Sequence, residues 1–480
     1  MALTTAQEAA VAKIITAFEN GKRLSDLPDV KGTNPWNLYC EVLDEDGESR
    51  KAALAALLPY VEEECSYGVE YDTTVSASGC TRIGNSDLHK RLPIQSRMKG
   101  CLLDDDGNVV EYLDPKSWTG NTRDGSRGQV MVEIPMHWRK FETEGTTYRC
   151  RLSELPLPGY HQVPKMYVSA YEAALDRTNS KLASVVNDTA QYRGGNNNSA
   201  YDGTGGTLLG RPVTQLSRGA FRTYARNRKS GSTAWNLYTY AAHKAIYWLY
   251  VTEYADRNSQ LAYNAELTTE GYRQGGLGAG VTTVNSGLWS AMNGYNPIVP
   301  CGHTDGLGNG TGIVAYEMPT EYSETTVTVS VPRYRGIENP FGHLWKWTDG
   351  VNVRISATVE NGGDGLSKVY VTDDPAKMND SNYTGYSHVG NEARDSGFVK
   401  EIIGGEYGEM IPKSTGGGDT RYFCDYHYAN IPGSGEALRG VLLGGNAYNG
   451  ANAGLACVYS FYAPSRAGAS FGSRLCFIPA

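Results

Sequence analysis

Near the amino terminus, apolar and polar positions recur with the period of a helix. Residues 4–20 carry apolar side chains three and four positions apart: Val11, Ile14, Ile15 and Phe18. Thr5 and Glu8 have the spacing of a capping box, which favours a helix start. A second helix is predicted at 50–64, although Pro59 interrupts its pattern. We expect residues 1–64 to form a helical docking or oligomerisation segment.

From residue 65 onward the pattern changes to short runs with a period of two, which is typical of strands. Residues 109–113 and 129–134 are strand-like, and turn dipeptides such as Asp106-Gly107 separate the runs. Prolines and a glycine at 156–159 indicate a boundary. The pattern therefore predicts a β-rich domain at 65–158.

The remaining residues, 159–480, mix helices with short strands. Helices are predicted at 218–228, with Ser217 as the N-cap, and at 236–258. Glycine-rich loops follow at 275–312, and strand-like runs alternate with irregular segments to the end. This mixture predicts an α+β fold.

Composition and charge narrow the classes of partner. The 480 residues include 57 Gly and 33 Tyr but only 9 Phe, which suits a loop-rich protein whose contacts use rigid, amphipathic rings. The net charge is −8 and no long basic run occurs, so we expect no nucleic-acid partner. The arginines between Arg218 and Lys229 are interpreted as the solvent-facing side of a helix.

The apolar runs and the cysteines indicate where in the cell the protein is made. No apolar run approaches the roughly 20 residues that span a bilayer, and the first residues lack a secretory signal. Nine cysteines without a Cys-x-x-Cys pair indicate reduced thiols rather than a disulfide framework. We therefore expect that the protein is made in a cytoplasm and that it does not insert into a membrane.

Some residues could carry chemistry, but each group has a structural interpretation that we favour. Cys301, His303 and Asp305 offer metal-ligand atoms, yet neighbouring glycines predict a turn and no second ligand pair is evident. Asp425 and His427 could share a strand face as a base and its orienting group, without a nucleophile motif nearby. We therefore expect no catalytic residue, no metal site and no cofactor, while acidic turns leave a structural Ca²⁺ open.

The alternation of Trp345 and Trp347 places both rings on one side of a predicted strand. Such a pair can fill a layer of the core or form a platform for sugar stacking, and we favour the core.

Residues 439–478 have an unusual composition for a core segment. Glycines and alanines form a low-relief background, in which amide, aromatic and hydroxyl side chains and one arginine are interspersed: Asn446, Tyr448, Asn449, Asn452, Tyr459, Phe461, Tyr462, Arg466, Ser470 and Phe471. Antibody-like binding sites use the same mixture, in which Tyr supplies rigid contact area and Asn and Ser supply adaptable hydrogen bonds. Composition alone equally allows a plain Gly/Ala-rich surface loop.

Several motifs together resemble a known family. They are Met166-Tyr-Val-Ser-Ala-Tyr-Glu-Ala, the Trp345–Trp347 run, Arg439-Gly-Val-Leu-Leu-Gly-Gly, Gly472-Ser-Arg-Leu-Cys-Phe and the upstream stretch 87–100. Their order is similar to that in the formylglycine-generating-enzyme branch of the C-type lectin fold. More closely, it resembles the variable proteins of diversity-generating retroelements, including phage tail receptor-binding proteins of gut Bacteroides phages.

The resemblance implies a C-type lectin fold over residues 159–480 and a diversified display segment at 439–478. The ten interspersed residues would be variable ligand-binding positions, and Gly444–Gly445 and Gly472–Phe477 would be an invariant frame. The enzyme branch needs a copper-binding cysteine pair shortly after its Gly-Gly motif. Here Asn446, Ala447 and Tyr448 follow Gly445, and the nearest thiols, Cys457 and Cys476, are nineteen residues apart. This departure argues against oxidase activity.

The resemblance further implies a receptor-binding adhesin of a phage tail, made in the host cytoplasm and carried on the virion. Its partners would be a bacterial cell-surface receptor, protein or glycan, and other tail proteins that contact the N-terminal region. We expect a homotrimer, which would multiply weak contacts through effective concentration. A lectin-like binder on the bacterial cell surface, a tail depolymerase or oxidase, and a purely structural tail protein are the alternatives.

Overall fold

The computed structural model describes residues 39–43, 49–53, 58–195, 201–202, 206–319, 321 and 323–479. The helix predicted at 4–20 lies outside these residues. The fold is α+β, with 15% of residues in helices and 33% in strands. Five α-helices are described: α1 (Leu58–Cys65), α2 (Ser86–Arg91), α3 (Arg218–Arg226), α4 (Tyr240–Tyr254) and α5 (Ser286–Asn293).

Strands account for most of the regular structure. In chain order they are β1 (Tyr39–Leu43), β2 (Ser49–Ala53), β3 (Tyr67–Asp72), β4 (Thr81–Gly84), β5 (Lys99–Leu103), β6 (Val109–Tyr112), β7 (Gln129–Ile134), β8 (His137–Glu144), β9 (Thr147–Ser153), β10 (His161–Val163), β11 (Met166–Ser169), β12 (Ala174–Asp176), β13 (Lys181–Ala183), β14 (Trp235–Leu237), β15 (Gly312–Glu317), β16 (Thr328–Tyr334), β17 (Ile337–Glu338), β18 (Trp345–Ser356), β19 (Ser367–Val371), β20 (Ser387–Asn391), β21 (Gly397–Gly404), β22 (Glu409–Thr415), β23 (Tyr426–Ala429), β24 (Glu436–Leu443), β25 (Val458–Ser460), β26 (Phe471–Gly472) and β27 (Leu475–Phe477).

Three larger sheets organise the molecule. A five-stranded sheet has the order β10-β8-β9-β3-β4, and a six-stranded sheet has the order β14-β27-β11-β7-β5-β6. The third sheet has nine strands and nearly closes into a barrel: β20-β19-β18-β24-β25-β23-β21-β22, with β26 pairing parallel to β18. The described residues also form two two-stranded sheets, β1-β2 and β12-β13, and a three-stranded sheet, β15-β16-β17.

The six-stranded sheet crosses the boundary expected between residues 158 and 159. Strand β7 pairs antiparallel with β11, so that Ile134 lies opposite Met166 and Met131 opposite Ser169. One cluster of buried apolar side chains includes residues from both sides of that point, from Tyr67 to Cys476. The two regions therefore share a sheet and a core.

Helix α4 crosses the interior of this shared core. All its side chains are buried except Ala241, and its two buried charges, Lys244 and Glu253, are paired with Glu409 and Arg335. Its predicted span of 236–258 was too long at both ends. Residues 235–237 form β14, Thr239 caps the helix by accepting a hydrogen bond from the Ala242 amide, and Ala255 ends it in a left-handed conformation.

Two predictions about helices are corrected. Residues 49–53 form strand β2, paired with β1, and the helix α1 begins only at Leu58. Pro59 occupies the first turn of α1, where a proline needs no hydrogen-bond partner for its nitrogen. The predicted helix at 50–64 is therefore wrong over its first four residues. Local helix propensity was outweighed there by pairing with β1.

Helix α3 confirms Ser217 as its N-cap, but two of its arginines do not face solvent. Arg218 and Arg222 are buried. Arg222 binds Asp349 through two hydrogen bonds of 2.5 and 2.9 Å, and both arginines contact Asp380 at 2.7 Å. Buried guanidinium groups need such partners, so the pairing explains why these charges lie inside.

Candidate binding face

One row of side chains runs across four neighbouring strands of the nine-stranded sheet. Trp347 lies opposite Leu442, Leu442 opposite Tyr459, and Tyr459 opposite Tyr428. Directly opposed residues point to the same side of a sheet. The row therefore begins at a buried tryptophan of β18 and ends at half-buried tyrosines of β25 and β23.

The outer part of this row belongs to a patch of partly exposed rings that we call the aromatic face: Phe398, Tyr426, Tyr428, Tyr459, Phe461 and Tyr462. Neighbouring ring centroids are 4.6 Å apart for Tyr426 and Tyr428, and 5.0 Å apart for Tyr428 and Tyr459. Phe461 and Tyr462 continue the patch at 5.5 and 5.4 Å from Tyr459. The six rings form one continuous surface.

Buried aromatic side chains support the face from beneath. Trp345 lies 4.9 Å from Tyr459 and 5.9 Å from Tyr428. Phe471 joins Tyr462, at 5.8 Å, to the fully buried Trp347, at 6.0 Å. The prediction that the two tryptophans fill a core layer is confirmed. Because the rings rest on a packed layer, their positions are fixed before any partner arrives.

Polar groups fix the orientation of individual rings. The side-chain amides of Asn452 and Asn449 donate to the Tyr428 hydroxyl at 3.0 and 3.3 Å. The Arg466 guanidinium lies 5.2 Å from the centre of the Tyr462 ring, within cation–π range. Burial raises the pKa of Tyr428 and Tyr459 above the ordinary tyrosine value, so both hydroxyls stay protonated at neutral pH.

A second group of rings lies around Tyr448. Tyr448 is 45% exposed and its ring packs edge-on against Trp289 and Tyr295, with centroids 5.9 and 6.1 Å away. Helix α5 supplies Trp289, and Tyr295 follows the helix end at Gly294. This contact between α5 and Tyr448 was not predictable from local patterns, because it joins positions far apart in the chain.

The ten predicted positions divide into three groups. Tyr448 and Arg466 are exposed, and six are partly exposed: Asn449, Asn452, Tyr459, Phe461, Tyr462 and Ser470. Asn446 and Phe471 are only 1% and 8% exposed, so their assignment to the surface is wrong. The Asn446 side chain accepts a hydrogen bond from the Tyr448 amide within its own turn, and Phe471 belongs to β26 beside Trp345.

Three rings of the aromatic face were missed at the sequence level: Phe398, Tyr426 and Tyr428. They lie outside 439–478 and reach the face only because β23 pairs parallel with β25 and antiparallel with β21. The alternation Tyr426-His427-Tyr428 was a usable signal. It places both tyrosines on one side of a strand and the buried His427 on the other.

The expected glycine frame lies against a buried charged cluster. Gly444 and Gly445 have φ values of +92° and +80°, which favour glycine, and Gly444 packs beside Lys346. Glu172 binds Lys346 at 2.9 Å and His343 at 2.5 Å. Burial would raise the pKa of Glu172, but Lys346 and His343 lower it to about 2, so the carboxylate stays ionised.

The tautomer of His343 follows from its partners. Its Nε2 accepts hydrogen bonds from the amides of Ile298 and Val299, so the proton lies on Nδ1 and is donated to Glu172. The cluster thus anchors the 298–299 loop and the start of β18 beneath the frame. Every group in it serves a structural contact.

The candidate chemical groups are each bonded to other parts of the structure. Asp425 accepts from the Ala456 amide, while His427 bonds the Ala393 carbonyl. The Cys301 thiol contacts the Glu172 carbonyl, whereas Asp305 binds Arg333 and Tyr171. Over the described part of the chain, no group of three or more His, Cys, Asp and Glu side chains is placed to hold a metal ion.

The two cysteines that follow Gly444–Gly445 in the chain, Cys457 and Cys476, are both buried. Burial raises the pKa of Cys457 well above its ordinary value and that of Cys476 to about 12. Both thiols therefore stay protonated at neutral pH, a state that disfavours nucleophilic chemistry.

Within the described ranges, no helix has both the length and the apolar character to cross a bilayer. The chain matches no family model, and a search of curated proteins finds no relative.

Proposed function

We propose that this protein is a receptor-binding protein whose aromatic face binds a ligand on the surface of a bacterial cell. The observation that supports this most directly is the patch of six half-buried rings that rests on a buried tryptophan layer. A contiguous patch of partly exposed aromatic rings is uncommon on a protein surface without a partner.

A surface of packed rings loses little side-chain freedom on binding. Tyr and Phe have two side-chain torsions each, and the rings here already pack against one another and against Trp345. Binding then costs less side-chain entropy than it would with long flexible side chains. The tyrosine hydroxyls and the amides of Asn449 and Asn452 add hydrogen-bonding groups at the edge.

The finer assignments rest on the sequence resemblance. We propose that residues 159–480 adopt a C-type-lectin-type fold and that 439–478 is the diversified segment of a retroelement variable protein. We also propose that the protein is carried on a phage tail as a homotrimer, with its N-terminal region bound to other tail proteins. The half-exposed positions of Tyr459, Phe461 and Tyr462 support a display role for this segment.

The test compares two matched double variants of the full chain. Tyr459→Ala with Phe461→Ala removes two rings of the aromatic face. Val110→Ala with Tyr112→Ala removes two side chains that are 44% and 47% exposed on β6. Each purified protein is labelled and its adsorption to intact cells of a panel of gut bacteria is measured, with thermal unfolding as the check on folding.

We expect the aromatic-face variant to unfold near the wild-type temperature and to lose at least about tenfold in adsorption, since central aromatic contacts commonly dominate binding. The β6 variant should adsorb like the wild type. Equal adsorption by all three folded proteins would refute the proposal, and so would burial of Tyr459 between subunits of an assembled particle.

A further inference from the structure

The nine-stranded sheet leaves a seam where its two outermost strands meet. Strands β20 and β22 approach each other, but in the described ladder each pairs only with its inner neighbour, β19 or β21. A cleft of about 410 Å³ lies at this seam, between β20, the turn that joins β21 to β22, and helix α4. It contains no residue of the aromatic face.

An ion pair lies at the inner end of the cleft. The Lys244 ammonium group, from α4, binds Glu409 at 2.9 Å, and the two side chains are 4% and 5% exposed. Burying two charges requires their desolvation, and apolar residues of similar size usually give equal or greater stability. Stability therefore does not explain why an ion pair lines a cleft that opens to solvent.

The turn between β21 and β22 holds an exposed ring at the mouth. Gly404, Gly405 and Gly408 all have φ values between +64° and +66°, so the turn needs glycine at three positions. Tyr148 donates to the Gly405 carbonyl at 3.3 Å, and Trp248 donates to the Gly408 carbonyl at 2.9 Å.

These contacts fix the turn on both sides of Tyr407. The Tyr407 ring is nevertheless 51% exposed, and it packs beside His161 with centroids 4.6 Å apart. The cleft therefore combines a fixed, half-exposed ring at its mouth with polar groups at its base.

We propose that this cleft binds a neutral sugar residue of a glycan. At the buried base of the cleft Lys244 and Glu409 neutralise each other, so a charged group placed there would leave a net charge, whereas the other two carboxylates of the lining, Asp373 and Glu406, are exposed to solvent. A hydroxyl group adds no charge and both donates and accepts hydrogen bonds. The Lys244 ammonium group can donate three hydrogen bonds. Within the described residues it donates one, to Glu409.

The shape of the lining agrees with the same ligand. A pyranose ring has an apolar C–H face, which can lie against the exposed Tyr407 ring, and hydroxyl groups around its edge. Ser387, His388 and Asp373 are exposed at the rim and offer hydrogen-bonding groups to those hydroxyls. A cleft that is concave, partly apolar and lined by a few polar groups is typical of small-ligand sites.

The test uses saturation-transfer-difference NMR on the full chain with methyl glycosides as probes: a hexose, a 6-deoxyhexose, an N-acetylhexosamine, a uronic acid and an amino sugar. We expect transfer to at least one neutral glycoside, and weaker or no transfer to the charged pair. Tyr407→Ala should weaken that binding by about tenfold or more, which corresponds to the loss of one good ring contact.

Two control variants separate this site from the rest of the molecule. Tyr112→Ala removes a comparably exposed tyrosine elsewhere, and Tyr459→Ala with Phe461→Ala alters the aromatic face. Both variants should show the same saturation transfer to the glycoside as the wild type. The sugar site is thereby tested independently of the proposed receptor-binding face. The inference is overturned by no transfer to any neutral glycoside, by tighter binding of a charged one, or by unchanged binding in a folded Tyr407→Ala protein.

Discussion

We predict that Glu392 makes the stability of the fold around strand β25 depend on pH. Its side chain is buried behind β25, where Oε1 accepts a hydrogen bond of 2.6 Å from Ser460. Within the described residues, Oε2 has no hydrogen-bond partner. Burial raises the pKa of Glu392 from 4.5 to about 8, although the Ser460 hydroxyl opposes the shift. The folded protein therefore keeps a proton that the unfolded chain releases above its ordinary pKa.

The sign of the effect follows from this difference in bound protons. Below about pH 4.5 both states hold the proton and the stabilising contribution is complete. As pH rises towards 8 the unfolded state loses the proton first, so the free energy of unfolding falls by about 1.4 kcal/mol per pH unit. Over the whole interval the loss from this single group is on the order of 4 kcal/mol.

Glu392→Gln removes the titration and keeps the shape of the side chain. We expect the variant to match the wild type at pH 5 and to be more stable by on the order of 4 kcal/mol at pH 8.5. Urea unfolding followed by tryptophan fluorescence at half-unit pH steps measures the gap. Because other groups titrate in both proteins, only the difference between the two curves is interpreted.

Glu401→Gln is the matched control. Glu401 also accepts a hydrogen bond from a serine, Ser414, at 2.9 Å, but it is partly exposed on β21. This variant should not reproduce the growing gap. A difference between Glu392→Gln and wild type that stays constant from pH 5 to 8.5 would refute the reasoning, as would a less stable Gln variant at the upper end.

Three further predictions concern packing. Trp347→Ala should lower the free energy of unfolding by about 3 to 5 kcal/mol, because the fully buried indole leaves a cavity; a loss below 1 kcal/mol in urea unfolding would contradict its place in the core. Arg222→Ala should cost on the order of 3 kcal/mol because it leaves Asp349 buried and unpaired, whereas adding Asp349→Ala should restore part of that loss. An additive double variant would show that the pair is not coupled. Gly408→Ala should destabilise by more than about 2 kcal/mol, since φ is +64° and a Cβ atom would overlap the Phe141 ring; an unchanged melting temperature would contradict this.

Local patterns predicted the elements whose signals lie within a few residues. The strands at 109–112 and 129–134 and the Ser217 cap of α3 are where hydrophobic period and capping chemistry place them. The burial of Arg218 and Arg222 was not predictable in this way. Their partners, Asp349 and Asp380, are more than 120 residues away, and no local pattern reveals such a pair.

The same limit applies to the candidate site. Composition identified most of the partly exposed side chains of 439–478, because amides and rings in a Gly/Ala background are a local signal. Composition does not predict that the Asn446 side chain is buried and accepts a hydrogen bond from the Tyr448 amide. Nor does it predict that Tyr428 lies opposite Tyr459. Both facts depend on a parallel pairing and a turn that only the assembled sheet defines.

Along strand β25, buried and partly exposed side chains alternate. Val458 and Ser460 point inward, one into the core and the other onto Glu392, while Tyr459 points outward between them. Hydrogen bonds to β24 and β23 hold the backbone on both sides, independently of which side chain occupies position 459. Substitutions of Tyr459 therefore lose ring contacts with its neighbours Trp345, Tyr428, Phe461 and Tyr462, whereas substitutions of Val458 disturb the core. Such a strand can change what it presents while its own position stays fixed, which is the physical requirement for a diversified binding surface.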